Sequence, residues 1–163
     1  PAIYGPGDRR LFTLFKAAHS GLVPIPGSPH NTLSLIHIKD CAAAIVRCLK
    51  GDYPSGAAFF VDDGKTHTIQ QLIAPMAKAF GKEPKIIYLP SWVFRPLASA
   101  AYWVCTAFGK EAVITPSKIK ELLCPHWVCE SQKTQEILQW KPQIALEEGI
   151  GETARWYKQK GWI

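Results

Sequence analysis

Residues 1–10, Pro-Ala-Ile-Tyr-Gly-Pro-Gly-Asp-Arg-Arg, are the stretch on which the fold class turns. Pro1 to Tyr4 is a short apolar run, and Gly5-Pro6-Gly7-Asp8 is a strong turn signal. A strand that ends in a glycine-rich turn, with polar residues just beyond, is where open α/β sheets place their ligand-contacting loops. The same residues also read as an ordinary surface turn, so the decision rests on the pattern of the chain beyond Arg10.

Outward from this stretch, helices and short strands alternate. Leu11 to Ser20 has apolar residues at 11, 14, 15 and 18 and is stopped by Gly21, the spacing of an amphipathic helix. Leu22 to Pro26 and Leu33 to Ile38 read as short strands. Asp40 reads as the N-cap of a helix from Cys41 to Lys50 that Gly51 ends. Ala57 to Val61 reads as a buried strand running into the turn Asp62-Asp63-Gly64, and Thr68 caps a helix reaching Phe80. A strand is expected at Lys85 to Leu89, and a very apolar helix from Trp92 to Phe108. Further helices are expected at about 116–123, 131–139 and 146–160. No repeat, low-complexity tract or linker interrupts the series, so residues 1–163 read as one domain.

Composition narrows the function classes. At 47% hydrophobic and 20% charged residues, the 163-residue chain has the balance of a soluble globular domain. The net charge of +6 permits anionic partners, but Lys and Arg are dispersed, which argues against nucleic acid. The five cysteines form no Cys-x-x-Cys pair, and the histidines have no metal-ligand spacing, so no metal site is expected. Free thiols suit a reducing cytoplasm, the expected location. The stretch from Ile86 to Phe108 is almost wholly apolar, yet Pro90, Arg95 and Pro96 interrupt it before it reaches the ~20 residues of a membrane span. It reads as a buried or substrate-facing helix, or as one that touches a membrane surface through 92–108.

The motifs of a self-contained active site are missing. There is no Gly-x-Gly-x-x-Gly or Gly-x-x-x-x-Gly-Lys-Ser/Thr phosphate loop and no Gly-x-Ser-x-Gly elbow. Asp62-Asp63 sits in a turn, and Glu147-Glu148 opens a helix, where acids suit the dipole. No catalytic residue is assigned.

Taken in order, Tyr4-Gly5-Pro6-Gly7-Asp8, His37-Ile38-Lys39-Asp40, Ser131-x-Lys133, Leu138-x-Trp140-x-Pro142 and Glu147-Glu148-Gly149-Ile150 carry a resemblance. The chain resembles the C-terminal portion of the NAD(P)-binding, Rossmann-type extended short-chain dehydrogenases/reductases, the epimerase/dehydratase superfamily. The implied fold is α/β, mostly helical with short strands. The resemblance implies that the dinucleotide loop and the Tyr-x-x-x-Lys pair belong to an N-terminal Rossmann part outside these residues. No Tyr-x-x-x-Lys occurs in the chain. It further implies NAD or NADP as cofactor, with the backbone of Pro1, Ala2 and Ile3 against the nicotinamide. Tyr4, Gly5, Asp8 and Arg9 would stand at the substrate mouth, and His37 and Asp40 would be structural.

The branch is indicated by departures from the family pattern. Leu33 stands where nucleotide-sugar enzymes of the family carry an Arg for substrate phosphates, and Ala2 where they carry an Asn. Phe59-Phe60-Val61-Asp62-Asp63-Gly64, the apolar 86–108 region and Thr115-Pro116-Ser117-Lys118 look like the 3β-hydroxysteroid dehydrogenase branch. An apolar pocket drawn from Trp92, Phe94, Trp103 and Phe108 would then receive a sterol-like or other apolar alcohol. Two alternatives stay open: a nucleotide-sugar epimerase or dehydratase, and a binding module without catalysis.

Overall fold

The computed structural model describes residues 1–109 and 115–163. In chain order its elements are β1 (Ala2–Tyr4), α1 (Phe12–Ser20), β2 (Leu22–Pro26), β3 (Thr32–His37), α2 (Ile38–Lys50), β4 (Thr66–Thr68) and α3 (Ile69–Ala79). They continue as β5 (Lys85–Leu89), α4 (Ser91–Ala107), α5 (Pro116–Leu122), β6 (His126–Trp127), α6 (Gln132–Leu138) and α7 (Leu146–Gln159). The α/β class is as expected.

β3 is the hub, because it is buried along nearly its whole length and pairs with three other strands. β1 runs parallel to it, with Tyr4 beside His37, and β6 runs parallel to its first two residues. β4 runs antiparallel, with His67 opposite Leu33. A separate two-stranded parallel sheet joins β2 and β5. The alternation of side chains along β3 sends Leu33 and Leu35 into one core and Ile36 into another. The larger core is closed by α1, α3 and α7 through residues such as Phe15, Leu72, Ile73, Met76, Ile150 and Tyr157. The smaller one gathers Cys41 and Ala44 of α2 with Leu138 and Trp140. A third cluster is a satellite in which Phe94 and Ala98 of α4 meet Ile119 of α5.

Three expectations are corrected. The helix after β3 begins one turn earlier than expected: His37 is its N-cap, with Nδ1 accepting the Lys39 N–H at 3.4 Å, and Asp40 lies in the first turn. Asp40 is instead buried, its carboxylate accepting the N–H groups of Gln143 and Ile144 at 3.1 and 3.0 Å. Residues 57–61 form no strand. Asp62 and Asp63 turn the chain by accepting the N–H groups of Gly64 and Lys65, and the pairing strand starts only at Thr66. A bond from the Asp63 N–H to the Leu35 carbonyl, and one from the Ser34 hydroxyl to the Asp62 carboxylate at 3.4 Å, tie this stretch to β3.

All five cysteines are free; Cys41 is buried in the smaller core and Cys48, half-buried, packs against it. Burial pushes the Cys41 thiol up from its ordinary value.

Candidate substrate-side site

The carboxyl ends of β1 and β3 lie side by side against α7. Tyr4 and His37 meet edge to face with ring centroids 5.3 Å apart, and both side chains are buried. Gly149 of α7 sits directly against them, since a Cβ there would stand 2.5 Å from the Tyr4 hydroxyl. Tyr4 is therefore packed into the core and Gly5 is buried beside it, whereas Asp8 is half-buried and Arg9 exposed. Burial, and then the Asp63 carboxylate, push its phenol above the ordinary tyrosine range, so it holds its proton at neutral pH.

His37 is held as a neutral imidazole. Burial lowers its affinity for a proton, against the opposing pull of Glu152. Its Nε2 is buried without a hydrogen-bond partner and lies 3.9 Å from Glu152 Oε2, beyond hydrogen-bond reach. Glu152 is engaged elsewhere: Lys39 Nζ donates to it at 2.6 Å, which holds its carboxyl below the usual range.

Beyond Tyr4 the chain leaves the sheet through Gly5, whose φ of 148° and close approach to Ile38 leave no room for a side chain. Asp8 then folds back on its own loop, accepting the N–H of Arg10 at 2.7 Å and of Leu11 at 3.1 Å. The C-terminal aromatics clamp this loop. The Tyr157 hydroxyl donates to the Asp8 carbonyl at 2.5 Å, and the Arg9 guanidinium lies 5.8 Å over the Trp162 ring. Tyr157 and Trp162 stack on each other with ring centroids 5.6 Å apart. Sequence reasoning missed this role of residues 157–163, because an aromatic-rich last helix reads only as an amphipathic one.

The two tryptophans named for the substrate lie apart from this loop. On α4, Phe94 turns inward to Ala98 and Ile119, while Trp92 and Trp103 turn outward at 76% and 68% exposure. The four-aromatic pocket is thus divided: Phe94 belongs to the satellite core, and Trp92, Trp103 and Phe108 belong to an open face.

A further feature that sequence reasoning did not single out is a buried pair of His67 Nε2 and Asp63 Oδ2 at 2.6 Å. It lines an open cleft of about 650 Å³ between β4, α3 and the start of α7, together with Lys65, Gln71 and Glu147. The spacing of four between Asp63 and His67 around a glycine turn was the available signal. None of the residues expected at the substrate mouth lines this cleft.

The dinucleotide can be tested against these residues. The outer edge of β1 is unpaired among the described residues, and Ala2 and Ile3 are partly exposed, so main-chain groups there are accessible to a nicotinamide ring. The pyrophosphate does not fit. The amides ahead of α1 are taken by the Asp8 carboxylate, which would also repel a phosphate. Among the described residues no cluster of His, Cys, Asp or Glu could hold a metal ion.

No family model matches the chain. It is 30% identical over 168 residues to a ceramide reductase of Caulobacter vibrioides, covering 100% of this chain and 51% of that protein. A UDP-glucose 4-epimerase of Vibrio cholerae is 29% identical, with 96% of this chain and 44% of that protein covered. A decarboxylating sterol-4-alpha-carboxylate 3-dehydrogenase of Schizosaccharomyces pombe is also 29% identical, with 94% and 47% covered. The chain thus spans about half the length of the curated relatives it matches. Among solved structures, the UDP-glucuronic acid 4-epimerase of Bacillus cereus superposes with a TM-score of 0.67 at 19% identity, over 98% of this chain and 43% of that one. An epimerase of Methanothermobacter thermautotrophicus gives a TM-score of 0.71 at 15% identity, over 99% and 42%.

Parallel strands feeding a glycine-bounded loop, with helices on both faces, define a portion of a Rossmann-type α/β protein. Over about half their length, the chain is similar to relatives of the extended short-chain dehydrogenase/reductase type, among them a ceramide reductase, an epimerase and a sterol dehydrogenase.

Proposed function

We propose that residues 1–163 form a single substrate-binding unit of an NAD(P)-dependent oxidoreductase that acts on an apolar alcohol or ketone of sterol or other lipid type. The observation that carries this reading is Leu33. It is buried in the main core at the position where the resemblance would put a phosphate-pairing arginine. A nucleotide diphosphate at that position would meet hydrocarbon, an environment that disfavours an unpaired anion by several kcal/mol, on the order of the cost of a buried unpaired charge. The ceramide reductase and the sterol dehydrogenase among the relatives are named for lipid substrates, in line with this choice.

In this reading the nicotinamide cofactor supplies or accepts a hydride. The backbone of Pro1, Ala2 and Ile3 borders its ring. Gly5, Asp8 and Arg9 form the rim of the substrate mouth, with Asp8 and Arg9 held in place by Tyr157 and Trp162. Trp92 and Trp103 give the apolar surface on which a lipid-like substrate lies. The proton-transferring Tyr-Lys pair and the pyrophosphate loop come from a dinucleotide-binding part that is not among these residues, and without it the chain is inactive.

A second reading, a nucleotide-sugar enzyme, is favoured by two exposed cations, Arg9 and Arg10, on the loop itself and by the epimerases among the relatives. Substitutions separate the two in the enzyme that joins this chain to its dinucleotide-binding part. Trp103→Ala should weaken a 3β-hydroxysterol by about tenfold, the equivalent of roughly 1.4 kcal/mol of lost contact, while Arg10→Ala leaves its turnover unchanged. Turnover of UDP-glucose that is abolished by Arg9→Ala or Arg10→Ala, with sterols ignored, would decide for the second reading.

A further inference from the structure

We infer that the cleft between β4, α3 and the start of α7 is a binding site for a small zwitterion, an α-amino acid with an apolar side chain. None of the residues at the substrate mouth lines it, so the site is independent of the substrate the enzyme takes.

The buried pair of Asp63 and His67 sets the chemistry of one wall. Their side chains are 8% and 9% exposed. The Asp63 carboxylate is engaged on both oxygens, with His67 Nε2 at 2.6 Å on one and the Lys65 N–H at 3.1 Å on the other. With a carboxylate as its partner, Nε2 carries the hydrogen, which leaves Nδ1 of the neutral ring a lone pair. Among the described residues Nδ1 has no hydrogen-bond partner, and it is not one of the fully enclosed unpaired atoms. It is an acceptor open to the cleft that His67 lines.

α3 supplies a second acceptor. Pro75 lies inside this helix and has no N–H, so the carbonyl of Gln71, four residues back, lacks its helical donor. Both residues line the cleft. The Gln71 side chain is held by the capping box, where its Oε1 accepts the Thr68 N–H at 2.9 Å. The Glu147 carboxylate, at the start of α7, is the third acceptor. Three acceptors lining one cleft match the three N–H groups of a primary ammonium.

Lys65 supplies the opposite charge. Among the described residues neither its ammonium nor the Glu147 carboxylate has an ion-pair partner, although both line the same cleft. Two carboxylates against one ammonium disfavour a simple anion, and a simple cation would leave Lys65 without a counterion. A ligand that carries both an ammonium and a carboxylate meets both demands. Ala74, Pro75, Ile144 and Leu146 form the apolar part of the lining, against which an aliphatic side chain packs. The volume of about 650 Å³ admits such a molecule.

The test is calorimetric titration of the 163-residue chain with L-leucine, L-leucinamide and N-acetyl-L-leucine. Leucine should bind saturably, and the two analogues, each lacking one charge, should bind about tenfold more weakly. Glu147→Gln and Lys65→Ala change exposed positions only. Each, checked for an unchanged unfolding midpoint, should weaken leucine by about tenfold. In proton–nitrogen correlation spectra the His67 Nδ1 resonance should move as leucine is added, while Nε2, held by Asp63, stays. No saturable binding of leucine, or equal binding by the parent and Glu147→Gln, would overturn the inference. Leucinamide binding as tightly as leucine would assign the cleft to a plain amine, with no part for Lys65, and would also overturn it.

Discussion

An Asp40→Ala variant is expected to lose about 3 kcal/mol of stability, because two backbone donors would be left without an acceptor and each such loss is worth about 1–3 kcal/mol. Asp40 is 4% exposed and reaches across the fold to the N–H groups of Gln143 and Ile144, just ahead of α7. Its place in the first turn of α2 adds a favourable interaction with the helix dipole, about 0.3–1 kcal/mol, which alanine also removes. For a chain of this size the loss corresponds to a fall in Tm of roughly 6–12 °C. Urea unfolding of parent and variant measures it. A loss below about 1 kcal/mol would mean that water satisfies the two amides as well as the carboxylate does. The contact matters for the site because it anchors the segment that leads into α7, the helix that backs the ends of β1 and β3.

Gly149→Ala should be nearly as damaging, by about 3 kcal/mol, the upper end of what overpacking a closed core costs. The new methyl group would meet the Tyr4 hydroxyl at 2.5 Å and both the Tyr4 ring and His37 Cδ2 at 3.0 Å. Neither ring has room to retreat, since each is at most 2% exposed and they already pack against each other. Gly151, two residues along the same helix, is the internal control. Nothing stands within 4 Å of a Cβ there, so Gly151→Ala should be neutral or stabilising by up to about 1 kcal/mol, as alanine is in a helix interior. Thermal unfolding of the two variants should therefore move in opposite directions. A tolerated Gly149→Ala would show that the junction of β1, β3 and α7 is looser than this packing implies.

The longer helices were legible because they bear a 3.6-residue apolar stripe and close at or just before a glycine, as α1 does at Gly21. The short strands were less so. β4 and β6 have three and two residues, and their existence depends on the edges of β3 that they join, which no local pattern encodes. Phe59-Phe60-Val61 has strand-like composition, but the two aspartates after it bind their own backbone and break the ladder. Asp40 is the residue type that caps helices, yet its partners lie more than a hundred residues away, and a histidine took the cap. At the site, the order of motifs pointed to the Tyr4–Arg9 loop. It could not show that Tyr4 faces the core, that Trp162 lies under Arg9, or that the aromatics of α4 part to opposite faces, because each of these depends on tertiary packing.

The central claim is that these residues supply the substrate side of a superfamily enzyme whose dinucleotide site lies elsewhere. Calorimetric titration of the 163-residue chain with NAD and with NADP tests it most directly. With the amides before α1 capped by Asp8 and no phosphate loop in the sequence, affinity should be no tighter than roughly millimolar, about 4 kcal/mol of binding free energy. Saturable micromolar binding of either dinucleotide would contradict the account.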